Sequence, residues 1–339
     1  MITYQENNNL AFPQWLAKRK DSLGASETSI VAYGSPYSSN LELFYDKLGA
    51  SRPNVNNIRT YIGKKSENIV DQFWPYYEEG NDDSIWINSN NGKKLKECVN
   101  RNLTARNSKY PHLTSTTDRN ILPVGIYAGK GEGSLEYKNT QSFVLKSYLP
   151  HLPPGHLFQC CTQMMVEELT HSELFYFIDN RTYQLYCFTR KQFKPMEQKI
   201  LDITTPFWEN VIKGRPIYNA IYEAKRMNNH KRAAELEREL AQLEPPAQNS
   251  KGYLDYINKS YKDRVLTTSA IPGTNDQYLI AKKYQELAAK IDKLELQKQG
   301  LEIDLKNMLK EHHVLDFGAK GKVTWYTYES RRVFKNKVL

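Results

Sequence analysis

The sequence predicts an α/β fold in which helices flank a mixed central sheet. Short stretches between positions 84 and 137 alternate apolar and polar residues, helical runs follow them, and two more strand-like runs come after. Strands interleaved with helices indicate a sheet covered on its faces. With 339 residues and 40% hydrophobic content, the chain is long enough for one large domain and an appendage.

Taken in order, residues 15–49 open with a short helix carrying Lys18, Arg19 and Lys20. The small-residue turn Gly24-Ala25-Ser26-Glu27 follows, with Ser26 or Thr28 capping a second helix. Free N–H groups at a helix N-terminus hold phosphate, so Arg19 and Ser26 could form a phosphate pocket. The plainer reading is a capping turn beside a basic helix. Residues 63–74 read as a helix bearing Glu67. Strands are expected at 84–88, 112–116, 124–127 and 134–137, with Asp118 ending a strand. Helices should cover 141–148 and 157–170, and strands 174–178 and 183–189.

The chain turns helical after Gln192, and its charge rises over 220–243 up to the Pro245-Pro246 break. A second long helix at 276–312 spaces Tyr284, Leu287, Ile291, Leu294, Leu301, Leu305 and Met308 by three and four, with Lys298 as the interruption. That is a heptad seam. Its plain reading is an antiparallel hairpin formed with the preceding helix, and its sharper reading is a surface for self-association or a partner. The domains expected are therefore 1–215, a core, and 216–339, a helical-hairpin extension ending in a strand-like, basic tail.

The stretch Gly133-Ser134-Leu135-Glu136-Tyr137-Lys138 carries the chemistry. Side chains two apart on a strand share a face, so Glu136 and Lys138 project together with the Tyr137 carbonyl between them. A carboxylate and a carbonyl suit a hard divalent cation, and an ammonium beside them can sit over a water attacking phosphorus. Glu-x-Lys is also common on solvated strand faces, so the surrounding order matters: Glu67, then Asp118, then Glu136 and Lys138, then Gln159 and Gln163 four apart on one helix face.

Composition agrees. A net charge of +9 suits an acidic polymer, and some of the 23 tyrosines and five tryptophans could stack on unpaired bases. No apolar run is long enough to span a bilayer and the N-terminus has no secretory pattern, so a soluble, cytoplasmic protein is expected. The four cysteines include no C-x-x-C pair, which argues against a zinc ribbon or an iron–sulfur cluster. Buried, reduced thiols are the better reading than a zinc site from His151, His156, Cys160 and Cys161.

The ordered set Arg19, Gly24-Ala25-Ser26-Glu27, Glu67, Asp118, Glu136-Tyr137-Lys138 and Gln159 resembles the YqaJ-type viral recombinase exonucleases, relatives of phage lambda exonuclease in the PD-(D/E)XK superfamily. The likeness covers about residues 10–215. It implies a restriction-endonuclease-like core and a magnesium-dependent enzyme, with manganese as the alternative, that degrades one strand of duplex DNA from its 5′ end and leaves a 3′ overhang. By the same resemblance Glu67, Asp118, Glu136 and the Tyr137 carbonyl would bind metal in a two-ion site, and Lys138 would orient or help deprotonate water. Arg19, Ser26 and Thr116 would hold the 5′-phosphate, and Gln159 with Gln163 would bond to the site from the helix. Relatives imply a ring-shaped homo-oligomer, a single-strand annealing partner and a phage or prophage gene in a bacterial host. The sequence departs in following Asp118 with Arg119 and Asn120 where the family has glycine, and in the Gly-rich insertion 129–133. Two other readings stand beside this one: a restriction or repair endonuclease of the same superfamily, and a non-catalytic DNA-binding scaffold. The Cas4-like branch lacks its cysteines here.

Overall fold

A computed structural model describes residues 1–7, 14, 18–50, 58–77, 92–148, 151–179, 182–262, 272–328 and 331–338. The strand expected at 84–88 lies outside them. The chain divides into two compact units, Met1–Val265 and Leu266–Leu339.

Two sheets build the first unit. In one, β1 (Ile2–Glu6), β4 (Leu103–Asn107), β5 (Leu113–Ser115) and β2 (Leu23–Gly24) lie in the order β1-β4-β5-β2, with β2 parallel to β5 and the other pairs antiparallel. The other is the mixed central sheet expected of the core. It runs β3 (Cys98–Val99), β6 (Arg119–Ile121), β7 (Gly133–Thr140), β8 (His171–Ile178) and β9 (Thr182–Thr189), with only β7 and β8 parallel. A parallel pair needs a crossover. Helices α4 (Ser142–Tyr148) and α5 (Pro154–Val166) supply it.

Every residue of β8 is buried, as a central strand covered on both faces should be. On one face Leu174, Tyr176 and Ile178 pack with Leu145 and Cys160 of the crossover helices. On the other, Leu135, Phe175 and Phe177 pack with Val70 of α3 (Ile58–Phe73) and with Trp74. Beneath that face the buried Glu173 carboxylate accepts from Trp74 Nε1 at 2.6 Å, from Lys96 Nζ at 3.0 Å and from the Tyr127 hydroxyl. A buried charge is tolerated because it is paired and fully hydrogen-bonded.

The largest apolar cluster joins α1 (Ala25–Tyr33), α2 (Asn40–Leu48), α5, α6 (Arg190–Arg226) and α7 (His230–Ala241), through residues such as Leu43, Phe44, Phe158, Met164, Val211 and Leu240. The boundary read at 215/216 falls inside α6. The apolar stripe of α7, made by Ala233, Leu236 and Leu240, is buried in this unit, and Leu240 reaches the close-packed Gly214 of α6. Within the first unit, α7 therefore packs as a hairpin on α6. A last helix of the unit, α8, spans Lys251–Tyr261.

Other details differ from the sequence reading. Residues 125–127 form a 3₁₀ turn instead of a strand, because Gly125 adopts φ +60° where an added Cβ would collide with the Leu95 carbonyl. Asp118 sits in a bend just before β6 and does not end β5. The cap of α1 is Gly24, not Ser26 or Thr28, with Glu27 reaching back to the Gly24 N–H at 2.8 Å. His156 shares a hydrogen bond with the Tyr176 hydroxyl at 2.6 Å, and no group of three metal-binding side chains forms among the described residues.

The second unit contains α9 (Asn275–Leu309), capped by Thr274 with Gln277, and an antiparallel sheet in the order β10 (Val314–Asp316), β11 (Gly321–Tyr328), β12 (Arg331–Val338). Its interior is small. Leu309 and Val323 are fully buried, and Lys306 lies over the Trp325 ring. No described helix is long and apolar enough to cross a membrane.

Two stability predictions follow from this packing. Leu240→Ala should cost about 2–5 kcal/mol in chemical denaturation, since the cavity opens in the main core; a loss below about 1 kcal/mol would place α7 outside it. Burial, with the nearby Lys138 charge, lowers the His156 pKa from 6.5 to about 3. The unfolded chain then binds the extra proton between those values, so stability is fully present above pH 6.5 and declines as pH falls toward 3. His156→Gln, which keeps a hydrogen-bonding group, should flatten that decline by on the order of a few kcal/mol over the window. Identical pH slopes for the two proteins would refute it.

Candidate active site

β7 alternates its side chains between two layers, and this alternation builds the site. Leu135 and Tyr137 face the α3 side, whereas Glu136 and Lys138 meet α5. Lys138 Nζ donates to Glu136 Oε1 at 2.6 Å and to Gln159 Oε1 at 3.0 Å. Gln163 Nε2 donates to Glu136 Oε2 at 2.8 Å. Both glutamines thus reach the site, one turn apart, each holding a different member of the charged pair.

Asp118 joins them from the bend before β6. Its Oδ2 accepts from the Tyr137 N–H at 2.9 Å. Burial and then the neighbouring Glu136 charge push the Asp118 carboxyl well above the usual carboxylate range. Burial acts to lower the Lys138 pKa, but its ion pair and hydrogen bond with Glu136 and the charge of Asp118 outweigh this and hold it above the ordinary lysine value.

Glu67, Asp118, Glu136, Tyr137 and Lys138 line one cavity of about 300 Å³, with Gly63, Ser66 and Val70 of α3 as its other wall. The donors are carboxylates and main chain, which suit a hard cation. Among the described residues, however, no three carboxylates close into a ready-made cage. Glu67 Oε2 stands 3.7 Å from Arg119, which is itself paired with Asp71 through Nε at 2.8 Å. Asp71 also accepts from the Tyr137 hydroxyl at 3.0 Å. Asp118 is thus tied to the β7 backbone, Glu136 to Lys138 and Gln163, and Glu67 faces the Arg119–Asp71 pair.

A second cavity, about 130 Å³, gathers Arg19, Ser26 and Thr116, the three residues assigned to a phosphate pocket, together with Gln159. Arg19 is held from behind. Its NH2 donates to Glu27 Oε1 at 3.0 Å, while Lys47 Nζ donates to Glu27 Oε2 at 2.7 Å and to the Arg19 carbonyl at 2.6 Å. Burial works to raise the Glu27 pKa, but Lys47 and Arg19 more than offset it and keep the carboxyl ionised. The floor is the outer face of β4 and its neighbours, where Thr104 and Arg106 project with Gln5 and Thr114, and Thr104 and Thr116 share a hydrogen bond at 3.1 Å.

The sequence reading placed Lys18 on a basic helix without assigning it to the pocket, and it missed Arg106, Asn7, Gln5 and Thr104 there and the pairing of Asp71 with Arg119 beside the acids. Alternation in 103–107, with Ala105 and Asn107 buried, was the signal available for Arg106.

Residues 14–172 match the family described as the YqaJ-like viral recombinase domain. No curated protein matches the chain. Among solved structures, an alkaline exonuclease (LHK-Exo) from Laribacter hongkongensis is similar at 15% identity and TM-score 0.42, over 66% of this chain and 99% of that one. LHK-Exo in complex with dAMP is similar at 13% identity and TM-score 0.40, over 75% and 100%. SSO0001 follows at 12% and 0.28, over 57% and 86%. The β7 acid pair, the α5 glutamines and Arg19 all lie inside the stretch that matches the YqaJ-like viral recombinase domain.

Proposed function

We propose that the chain is a metal-dependent exonuclease that digests one strand of duplex DNA from a phosphorylated 5′ end and leaves a 3′ single-stranded overhang. The YqaJ-like domain supports a nuclease of the phage recombination type. One observation carries the finer reading: Gln159 lines the anion cavity and also accepts from Lys138 at 3.0 Å, so a terminal phosphate would sit one side chain away from the acids. Cleavage at a fixed short distance from a bound end is exonuclease geometry.

Magnesium or manganese, as one ion or a pair held by Asp118, Glu136, the Tyr137 carbonyl and Glu67, would supply positive charge against that growing on the phosphorane and would acidify the attacking water. The protein's own groups do the rest. Gln163 fixes Glu136, and Gln159 fixes Lys138, whose raised pKa keeps it a charged group that orients water. Arg19, Ser26 and Thr116 would hold the end. DNA ends are the substrate in this reading, and an annealing protein would take up the product strand.

The test is digestion of a linear duplex labelled at either the 5′ or the 3′ end, with and without 5′-phosphate and divalent metal. Wild type should release nucleotides from phosphorylated 5′ ends only with metal, and Lys138→Ala should slow this by roughly 10²–10⁴-fold. Arg19→Ala should keep metal-dependent cleavage but lose most of the preference for 5′-phosphate over 5′-hydroxyl, and Arg106→Ala should act in the same direction. Cutting of closed circular DNA would replace this reading with an endonuclease. DNA binding without cleavage, indifferent to Lys138→Ala, would reduce the protein to a binding scaffold.

A further inference from the structure

Gln159 and Gln163 belong to a longer stripe on α5. Four residues beyond Gln163 stands Glu167, the C-cap residue of the helix, whose N–H still donates to the Gln163 carbonyl at 3.0 Å. Its Oε1 accepts from the Ser115 hydroxyl at 2.5 Å and its Oε2 from Asn120 Nδ2 at 3.3 Å, and all three side chains are buried. Both donors are uncharged. Burial pushes the Glu167 pKa up, and these two bonds work against the rise. Arg101, whose charge also favours the ionised form, is itself engaged by Glu132 through bonds of 2.8 and 2.7 Å.

The two donors belong to different sheets. Ser115 is the last residue of β5 and Asn120 lies inside β6, so the chain between them crosses from one sheet to the other. Residues on that crossing reach both cavities. Thr116 lines the cavity at Arg19 and shares a hydrogen bond with Thr104, whereas Asp118 lines the cavity of the acids and accepts from the Tyr137 N–H. Thr117 Oγ1 donates to Asn120 Oδ1 at 3.3 Å, which closes the bend onto its own anchor. The end of α5 is fixed in turn, because Asn107 of β4 donates to the Val166 carbonyl at 3.1 Å. A carboxylate has two oxygens at a fixed separation, and here each grips one end of the same segment.

We propose that Glu167 is a positioning residue that holds segment 115–120 so that Thr116 and Asp118 keep their places in the 5′-phosphate pocket and the metal site together. It acts through those two residues and not on either ligand. The identity of the two ligands rests on the nuclease reading, whereas the contacts of Glu167 do not.

The experiment uses the full chain and equilibrium binding, without turnover. Manganese is titrated by calorimetry in the absence of DNA, and a short duplex ending in 5′-phosphate or 5′-hydroxyl is titrated in the absence of divalent metal. Glu167→Ala should weaken manganese binding and the preference for the phosphorylated end, each by about 10-fold, the lower end of what losing a group behind a metal ligand costs. Ser115→Ala frees the Thr116 end and should reduce the phosphate preference with manganese affinity unchanged. Asn120→Ala frees the Asp118 end and should do the reverse. A carboxylate that only joined the two sheets would lower the melting temperature in all three variants without this crossed pattern. Unchanged manganese affinity and phosphate preference in a folded Glu167→Ala, or end variants that both alter the same constant, would overturn the proposal. Should Glu167→Ala fail to fold, the two end variants decide the matter. Wild type that binds neither ligand would sink the nuclease reading and this role with it, whereas normal wild-type binding beside unaltered variants would sink this role alone.

Discussion

The parallel pairing of β7 with β8 is the constraint on which the rest of the site depends. Parallel neighbours cannot be joined by a tight turn, so the chain must leave the end of β7, cross one face of the sheet and return. That return is α5, and it lies over the face of β7 that carries Glu136 and Lys138. The pairing runs without interruption from Gly133↔His171 to Thr140↔Ile178. A one-residue slip would turn the acid and the lysine toward α3 and bring Leu135 and Tyr137 against the glutamines. Register is thus fixed by apolar burial on both faces of β8, and the charged pair inherits its position from that packing.

Electrostatics then divide the unit into two kinds of buried charge. Glu173 and Glu27 are satisfied within the protein, the first by Lys96, Trp74 and Tyr127, the second by Lys47 and Arg19. Their networks are closed, and their work is structural: one anchors the segment around Lys96 under the sheet and the other sets the direction of Arg19. Asp118 and Glu136 are different. Two acids share a cavity with a single lysine, and burial together with the Glu136 charge drives Asp118 toward its neutral form.

Local rules made the centre of the site legible. Period two put Glu136 with Lys138, and the four-residue spacing put Gln159 with Gln163, because each relation is fixed by one element's own geometry. The remainder depended on pairings that local rules do not reach. β1 becomes a strand because it lies against β4, a hundred residues away, and only then do Gln5, Thr104 and Arg106 share a surface. Asp71 and Arg119 find each other between a helix and a strand. The run at 124–127 has strand-like composition, yet Gly125 must approach the Leu95 backbone, and a close approach to a distant segment leaves no mark in a short window. The apolar stripe of α7 was read as a helix in need of a partner, but stripes do not name their partners, and within the first unit α6 takes that place.

The cavity at Arg19 has its geometry set from outside it. Arg19 contributes a guanidinium whose NH2 donates to Glu27, and the carbonyl of the same residue is gripped by Lys47. Backbone and side chain are therefore both held, and a planar, pre-aimed fork loses less freedom on meeting a phosphate than a free lysine would. Glu27 does this from the first turn of α1, where its second oxygen also receives the Gly24 N–H. One carboxylate caps the helix, neutralises a buried lysine and aims an arginine. Because Gln159 spans from that cavity to Lys138, the helix cap and the β7 acids belong to one mechanical unit, with α5 as its beam. Displacing Glu27 would be felt in the aim of Arg19 before it was felt at the acids, since Glu27 bonds to Arg19 directly.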